Sequence, residues 1–133
     1  MSKSSGHHSR VSTLMIDALD EHFDDALAFW SEALGLSPTR RPTEGQRYVT
    51  LGEIEGPLFI RLQRVEKNPG FHLDVETDEM RAERARMEAA GAHPKYKVKR
   101  WWVMEDPSGN AFCLIRPESD EFPGNAYEWK TMK

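Results

Sequence analysis

The chain has a single cysteine, Cys113, in 133 residues. An internal disulfide is therefore excluded, and a reducing compartment is the natural setting. No apolar run approaches the roughly 20 residues needed to span a bilayer. The opening MSKSSGHHSR lacks the apolar core of a secretory signal and reads as a disordered tail over residues 1–10. Basic charge is not in excess: 18 Lys and Arg against 22 Asp and Glu leave a net charge of −4, with the signs interspersed. That removes the electrostatic footprint of a nucleic-acid binder. The glycines form neither a GxGxxG nor a Walker pattern, and no Ser/His/Asp arrangement is visible. A cytoplasmic protein is expected, with no nucleic-acid or membrane partner.

What is present suffices for one domain with its own core. The clearest stretch is RWWVMEDPSGNAFCLIRPE, Arg100 to Glu118. Two aromatic and β-branched runs flank Asp106-Pro107-Ser108-Gly109-Asn110, whose residues supply a fixed dihedral, a permissive one and two side chains that bond local backbone. This predicts a hairpin with strands near 101–106 and 111–116. A weaker copy predicts strands at Arg47–Leu51 and Pro57–Val65. Val11–Ala18 alternates, with Leu14 and Ile16 on one face and Thr13, Met15 and Asp17 on the other, as in a strand with one face on a helix.

Phe23, Ala26, Leu27, Trp30, Ala33 and Leu34 recur at three- and four-residue spacing, predicting a helix near Asp24–Leu34. Asp20 suits an N-cap, and Gly35 with Pro38 suits the stop. Ser37–Thr43 reads as a short edge strand. After the break Lys67-Asn68-Pro69-Gly70, Phe71–Thr77 reads as a strand with His72, Asp74 and Glu76 sharing a face. A second helix follows near Asp78–Ala90, with Met80, Ala85 and Met87 inward and Arg81, Glu83, Arg84 and Glu88 outward. Glu32, Ala33, Gly35 and Pro38 recur as Glu88, Ala89, Gly91 and Pro94 at an offset of 56, so the chain reads as two similar halves. Lys95–Arg100 reads as an edge strand whose lysines oppose edge-to-edge pairing, or as a basic groove. Residues 118–133 form a C-terminal tail that docks across the sheet or onto a partner subunit.

The segments FWSEALGL, FHLDVETDEM and WWVMEDPSGNAFCLIRP resemble the glyoxalase-like members of the vicinal oxygen chelate superfamily, also called the glyoxalase/bleomycin-resistance/dioxygenase superfamily. The resemblance runs from about Val11 to Pro117. It implies an α+β fold of two βαβββ modules, 11–66 and 71–117, whose mixed sheet curls around one cleft. It also implies a homodimer. Metal-dependent members hold a divalent ion in the cleft; the implied ligand positions fall on His72, on Cys113, on Thr13 or Leu14, and on Arg61 or Gln63. Only His72 is a ligand of ordinary type. The resemblance therefore points to a member with no metal and no cofactor.

Alternation places Met15, Asp17, Phe59, Arg61, Gln63, His72, Asp74 and Cys113 toward the cleft, joined by one of Trp101 and Trp102, with Trp102 taken as the candidate. Aromatics among a few convergent polar groups suit a small organic ligand. Cys113, between Phe112 and Leu114, reads as a small buried apolar residue rather than a nucleophile. Three functions stay open: a metal-independent protein that binds or transforms an unknown metabolite, an antibiotic-sequestering protein of the bleomycin-resistance type, and a metal-dependent lyase, isomerase or dioxygenase.

Overall fold

The computed structural model describes residues 6–38, 47–54 and 58–130. Eight strands and two helices lie among them, in the order β1 (His7–Leu19), a 3-10 turn (Asp20–His22), α1 (Phe23–Leu34), β2 (Tyr48–Ile54), β3 (Leu58–Val65), β4 (Gly70–Thr77), α2 (Met80–Ala89), β5 (His93–Val98), β6 (Trp101–Glu105), β7 (Ala111–Ile115) and β8 (Tyr127–Trp129). The class is mixed α+β. The chain divides into two compact units, Thr13–His72 and the combination of residues 1–12 with Leu73–Lys133. It passes from one to the other within β1 and again within β4.

In the unit Thr13–His72, β1 pairs with β3 in parallel, from Thr13 opposite Phe59 to Leu19 opposite Val65, and β2 pairs with β3 antiparallel. One sheet face is apolar. Ile16, Ala18, Val49, Leu51, Ile60 and Leu62 pack with Phe23 and with Ala26, Leu27 and Trp30 of α1. Leu62 is fully buried, and burying one such side chain is worth about 1.5–3 kcal/mol. The helix begins one residue before the expected Asp24 and ends as expected, because Gly35 takes the left-handed conformation at φ 70°. Asp20 does not cap it: the residue starts the 3-10 turn, and its carboxylate pairs with Arg64 at 2.9 Å. The inward stripe is shorter than the spacing predicts, since Ala33 and Leu34 are exposed. The strand expected over Ser37–Thr43 falls from residue 39 onward outside the described residues.

The other unit repeats the parallel closure. Its β4 pairs with β7 in parallel, Leu73 opposite Phe112 to Glu76 opposite Ile115, and β7 and β5 flank β6 in antiparallel ladders. Thus β4-α2-β5-β6-β7 reads strand, helix and three strands. The hairpin is turned as the sequence implies: Asp106 Oδ1 accepts from the backbone N–H of Ser108 and Asn110, and Asn110 Nδ2 donates to Oδ2 at 2.9 Å. Met104 and Leu114 are fully buried. Lysine-bearing β5 is an edge strand paired only to β6.

Three expectations fail in this unit. Residues 7–10 are not a loose tail but the start of β1, with His7 and Ser9 buried; residues 1–5 lie outside the described residues. Glu83 faces inward rather than outward and is fully buried. His7 Nε2 lies 2.7 Å from its carboxylate and Arg86 grips it through two nitrogens, so a charged group is tolerated inside because its partners come with it. Its carboxyl is raised by burial, but the hydrogen bonds from Arg86, His7 and Ser9 outweigh this and leave it below the usual range. Ala85, expected inside, is exposed. The C-terminal segment docks as β8, antiparallel to His7–Ser9, where Trp129 donates to Ser9 Oγ at 2.9 Å under the Arg86 guanidinium.

Candidate functional site

In the unit Thr13–His72, the sheet face opposite α1 is polar. Register sets Met15 beside Arg61, Asp17 beside Gln63 and Thr13 beside Phe59, with Thr50 and Tyr48 next to Arg61 and Gln63 on β2. Strand alternation brings Thr13, Met15, Asp17, Phe59, Arg61 and Gln63 onto that face together, as the sequence predicts. The Arg61 guanidinium lies 5.2 Å from the centre of the Phe59 ring, and its Nε donates to Thr50 Oγ1 at 3.0 Å.

The pair that stands out joins the two ends of this unit. His72 Nδ1 lies 2.8 Å from Asp17 Oδ2, and both side chains are about five-sixths buried, with 15% and 16% exposed. With Nδ1 donating to the carboxylate, the Nε2 lone pair is the basic position of the ring. The other carboxylate oxygen, Asp17 Oδ1, is buried with no hydrogen-bond partner among the described residues, and so is Thr13 Oγ1. Asp17 also lines a pocket of about 440 Å³ in the same unit, walled mainly by apolar groups that include Ile16, Ala26, Trp30, Pro69 and Phe71. Trp30 meets Phe71 edge to face at 6.1 Å. Sequence reasoning misses His22, Trp30 and Phe71 as site residues; the aromatic cluster in FWSEALGL, next to a helix face, is the signal that could have marked them.

The remaining candidates lie in the other unit. Asp74, 7% exposed, stands opposite Cys113 across the β4/β7 ladder. Trp102 does not join them. It pairs with Leu114, on the face carrying Met104, and lies beneath Arg84 of α2 at 4.4 Å. Alternation gives the Asp74 and Cys113 face to Trp101 instead. Cys113 is partly exposed rather than buried.

A divalent ion of the kind the resemblance implies would use Thr13 or Leu14, Arg61 or Gln63, His72 and Cys113. Thr13 is a neutral hydroxyl and Arg61 is a cation; at His72 the Asp17 contact takes Nδ1 and leaves Nε2 as the donor. His72, then Asp74 two residues on, then Cys113 opposite Asp74 are the donor types that β4 and its ladder gather. Of these, the cysteine would have to be a thiolate. The donors present do not fit the family's set, and no chemical step is assigned to a metal.

The profile of the glyoxalase-like domain matches residues 13–115. No curated protein gives a significant match. Among solved structures, methylmalonyl-CoA epimerase from Mycobacterium tuberculosis is similar with a TM-score of 0.58 and 16% identity, over 82% of this chain and 88% of that one. A single-substitution variant of the Streptomyces coelicolor methylmalonyl-CoA epimerase, in complex with 2-nitronate-propionyl-CoA, gives 0.56 and 15%, over 83% and 98%. A glyoxalase/bleomycin resistance protein/dioxygenase superfamily member from Vibrio splendidus 12B01 gives 0.52 and 14%, over 82% and 99%. At these identities the likeness is one of fold.

Proposed function

Because the chain belongs to the glyoxalase-like domain family, we propose that it binds a small organic molecule in the pocket beside Asp17, with the Asp17–His72 pair as the polar anchor and no metal ion. The observation that carries this reading is the combination, in one unit, of the buried Asp17–His72 pair, whose Asp17 Oδ1 has no hydrogen-bond partner among the described residues, with a largely apolar pocket that Asp17 helps to line. Leaving such an atom unsatisfied costs about 1–3 kcal/mol. A ligand N–H or O–H that gains access to it on binding removes that cost, while Trp30 and Phe71 cover an apolar body. The ligand class is therefore a largely apolar molecule with one hydrogen-bond donor beside its apolar part.

The pair also suits chemistry. A carboxylate that holds one imidazole nitrogen fixes the tautomer and strengthens the other nitrogen as a base. His72 is the group placed to accept or return a proton, and the protein then acts as an enzyme on a metabolite of this class. The ligand panel holds hydroxy- and amino-substituted aromatics, and also acyl-CoA thioesters, because the Streptomyces coelicolor epimerase variant is in complex with 2-nitronate-propionyl-CoA. The test is titration of the isotope-labelled, chelator-treated protein, followed by amide NMR. Saturable shifts should centre on Asp17, Trp30, Phe71 and His72. Binders that leave these resonances unmoved and shift others would overturn the reading. Turnover is read separately, as exchange of a substrate C–H for deuterium in heavy water.

One observation favours a second reading. A pocket lined by Trp30 and Phe71, with Asp17 among its lining residues, also suits an aromatic cation, as in a drug-sequestering protein. Tight binding of cationic aromatics with no exchange on any substrate would select it.

We also propose a cytoplasmic homodimer. No helix among the described residues is long and apolar enough to cross a membrane. Phe29, Leu34 and Phe71 are 59%, 43% and 61% exposed, and a symmetric pair is the commonest way to cover such groups. Light scattering at micromolar concentration should give twice the 15.3 kDa chain mass; the chain mass alone would rule the dimer out.

A further inference from the structure

The unit formed by residues 1–12 and Leu73–Lys133 holds a second cavity, of about 530 Å³, that shares no lining residue with the Asp17 pocket. Four cations line it: Lys97 from β5, Lys99 and Arg100 from the β5–β6 turn, and Arg116 from the chain just past β7. None of the four side chains has a hydrogen bond or ion pair among the described residues. The two acids at the rim are engaged elsewhere. Asp78 accepts from the His8 backbone N–H and lies 2.8 Å from His8 Nδ1, and Glu79 accepts from the backbone N–H of Arg81. Four cations against two carboxylates leave the lining with net positive charge, in a chain whose net charge is −4. Protection of an edge strand accounts for lysines on β5, but not for Arg116, which converges on them from another element. It fits Lys95 better, which is paired to Glu105 at 3.1 Å and lies outside the cavity lining. Lys99 also holds a left-handed φ of 51°, at a turn position where glycine or asparagine is the undemanding choice.

We propose that this cavity is a binding site for a phosphorylated small molecule, taking its phosphate or pyrophosphate group between Lys97, Lys99, Arg100 and Arg116. Arginine forks and lysine ammonium groups are the usual partners of such oxygens, and the volume lies in the range of small-ligand sites. Met80 and Pro117 supply apolar wall for the rest of the molecule.

The experiment titrates the full chain with inorganic pyrophosphate and inorganic phosphate at about 0.15 M salt, where exposed charges more than about 8 Å apart are largely screened, reading amide NMR shifts. Expected are saturable shifts confined to residues 78–80, 97–100 and 116, tighter for pyrophosphate than for phosphate. Arg116→Glu and Lys97→Glu should each weaken binding about tenfold or more, equivalent to about 1.4 kcal/mol, while Arg116→Lys retains most of it. Lys95→Glu should change it less than twofold. Equal loss in Lys95→Glu and Arg116→Glu would mean diffuse attraction and overturn the proposal, as would no saturable response at this salt. A short single-stranded oligonucleotide bound more tightly than pyrophosphate would overturn it in favour of a nucleic-acid surface. Each variant's amide spectrum away from the cavity reports whether it has folded.

Discussion

Arg10→Met will destabilise the protein by about 3–5 kcal/mol, the cost of leaving a buried charge without its ionic partner. Glu76 is fully buried, and Arg10, with 8% of its side chain exposed, meets it at 2.7 Å. Ser119 donates to Glu76 through Oγ at 2.6 Å and through its backbone N–H at 3.0 Å, and the Glu118 N–H donates as well. One carboxylate thus ties β1, β4 and the start of the C-terminal segment. Urea unfolding should show the loss as a lower midpoint, and limited proteolysis should cut the variant first near residues 118–126. Replacing Arg10 and Glu76 together by apolar residues will not restore full stability, because the Glu118 and Ser119 donors lose their acceptor.

The same group sets an acid limit. Burial raises the Glu76 carboxyl, but the bonds from Ser119, Glu118 and Arg10 outweigh it and hold it below the ordinary value of 4.5. A group depressed in the folded state stabilises above its unfolded value and loses that contribution as pH falls through the folded one. Glu83 shifts the same way. Stability should be level from neutral pH down to the ordinary glutamate range and fall below it, and Glu76→Gln should flatten part of that fall.

Such ties explain what the sequence can and cannot reveal. The DPSGN turn, the Gly35 stop and the Leu14/Ile16 face of β1 are legible because each depends on neighbours within a few residues. The burial of His7 and Ser9 is not, because their partners Glu83 and Trp129 lie 76 and 120 positions away. Nothing local distinguishes HHSR from a polar tail. The site divides in the same way. Alternation puts Asp17 and His72 on polar strand faces, but their pairing across 55 positions and the aromatic pocket beside them need the fold. Trp102 goes to the wrong face because two adjacent tryptophans differ only by the parity of the strand. Arg116 is invisible as part of a basic cavity because it comes from a different element than the lysines.

Asp17→Asn will weaken ligand binding more than any other conservative change in the Asp17 pocket. An asparagine keeps the shape and offers one acceptor oxygen where the carboxylate offers two, so it cannot serve both His72 and the ligand. Hydrogen bonds to charged groups contribute about 1.5–3 kcal/mol, which corresponds to roughly 10- to 150-fold in affinity. His72→Ala should cost less in binding, about 0.5–1.5 kcal/mol for a neutral hydrogen bond. If the protein turns its ligand over, the order reverses for rate, since losing a general base typically costs about 10²–10⁴-fold. Isothermal titration gives the first comparison and deuterium exchange the second. Equal, small effects of both substitutions on both readouts would remove Asp17 and His72 from the site.

The proposed site works without metal, and elemental analysis of the protein, purified without added ions, tests that most directly. Expected is well under one equivalent of Zn, Ni, Mn and Fe per chain, with no difference between the wild type and His72→Ala. About one equivalent of a transition metal, lost in His72→Ala, would contradict it and make His72 a metal ligand, with Asp17 orienting its ring.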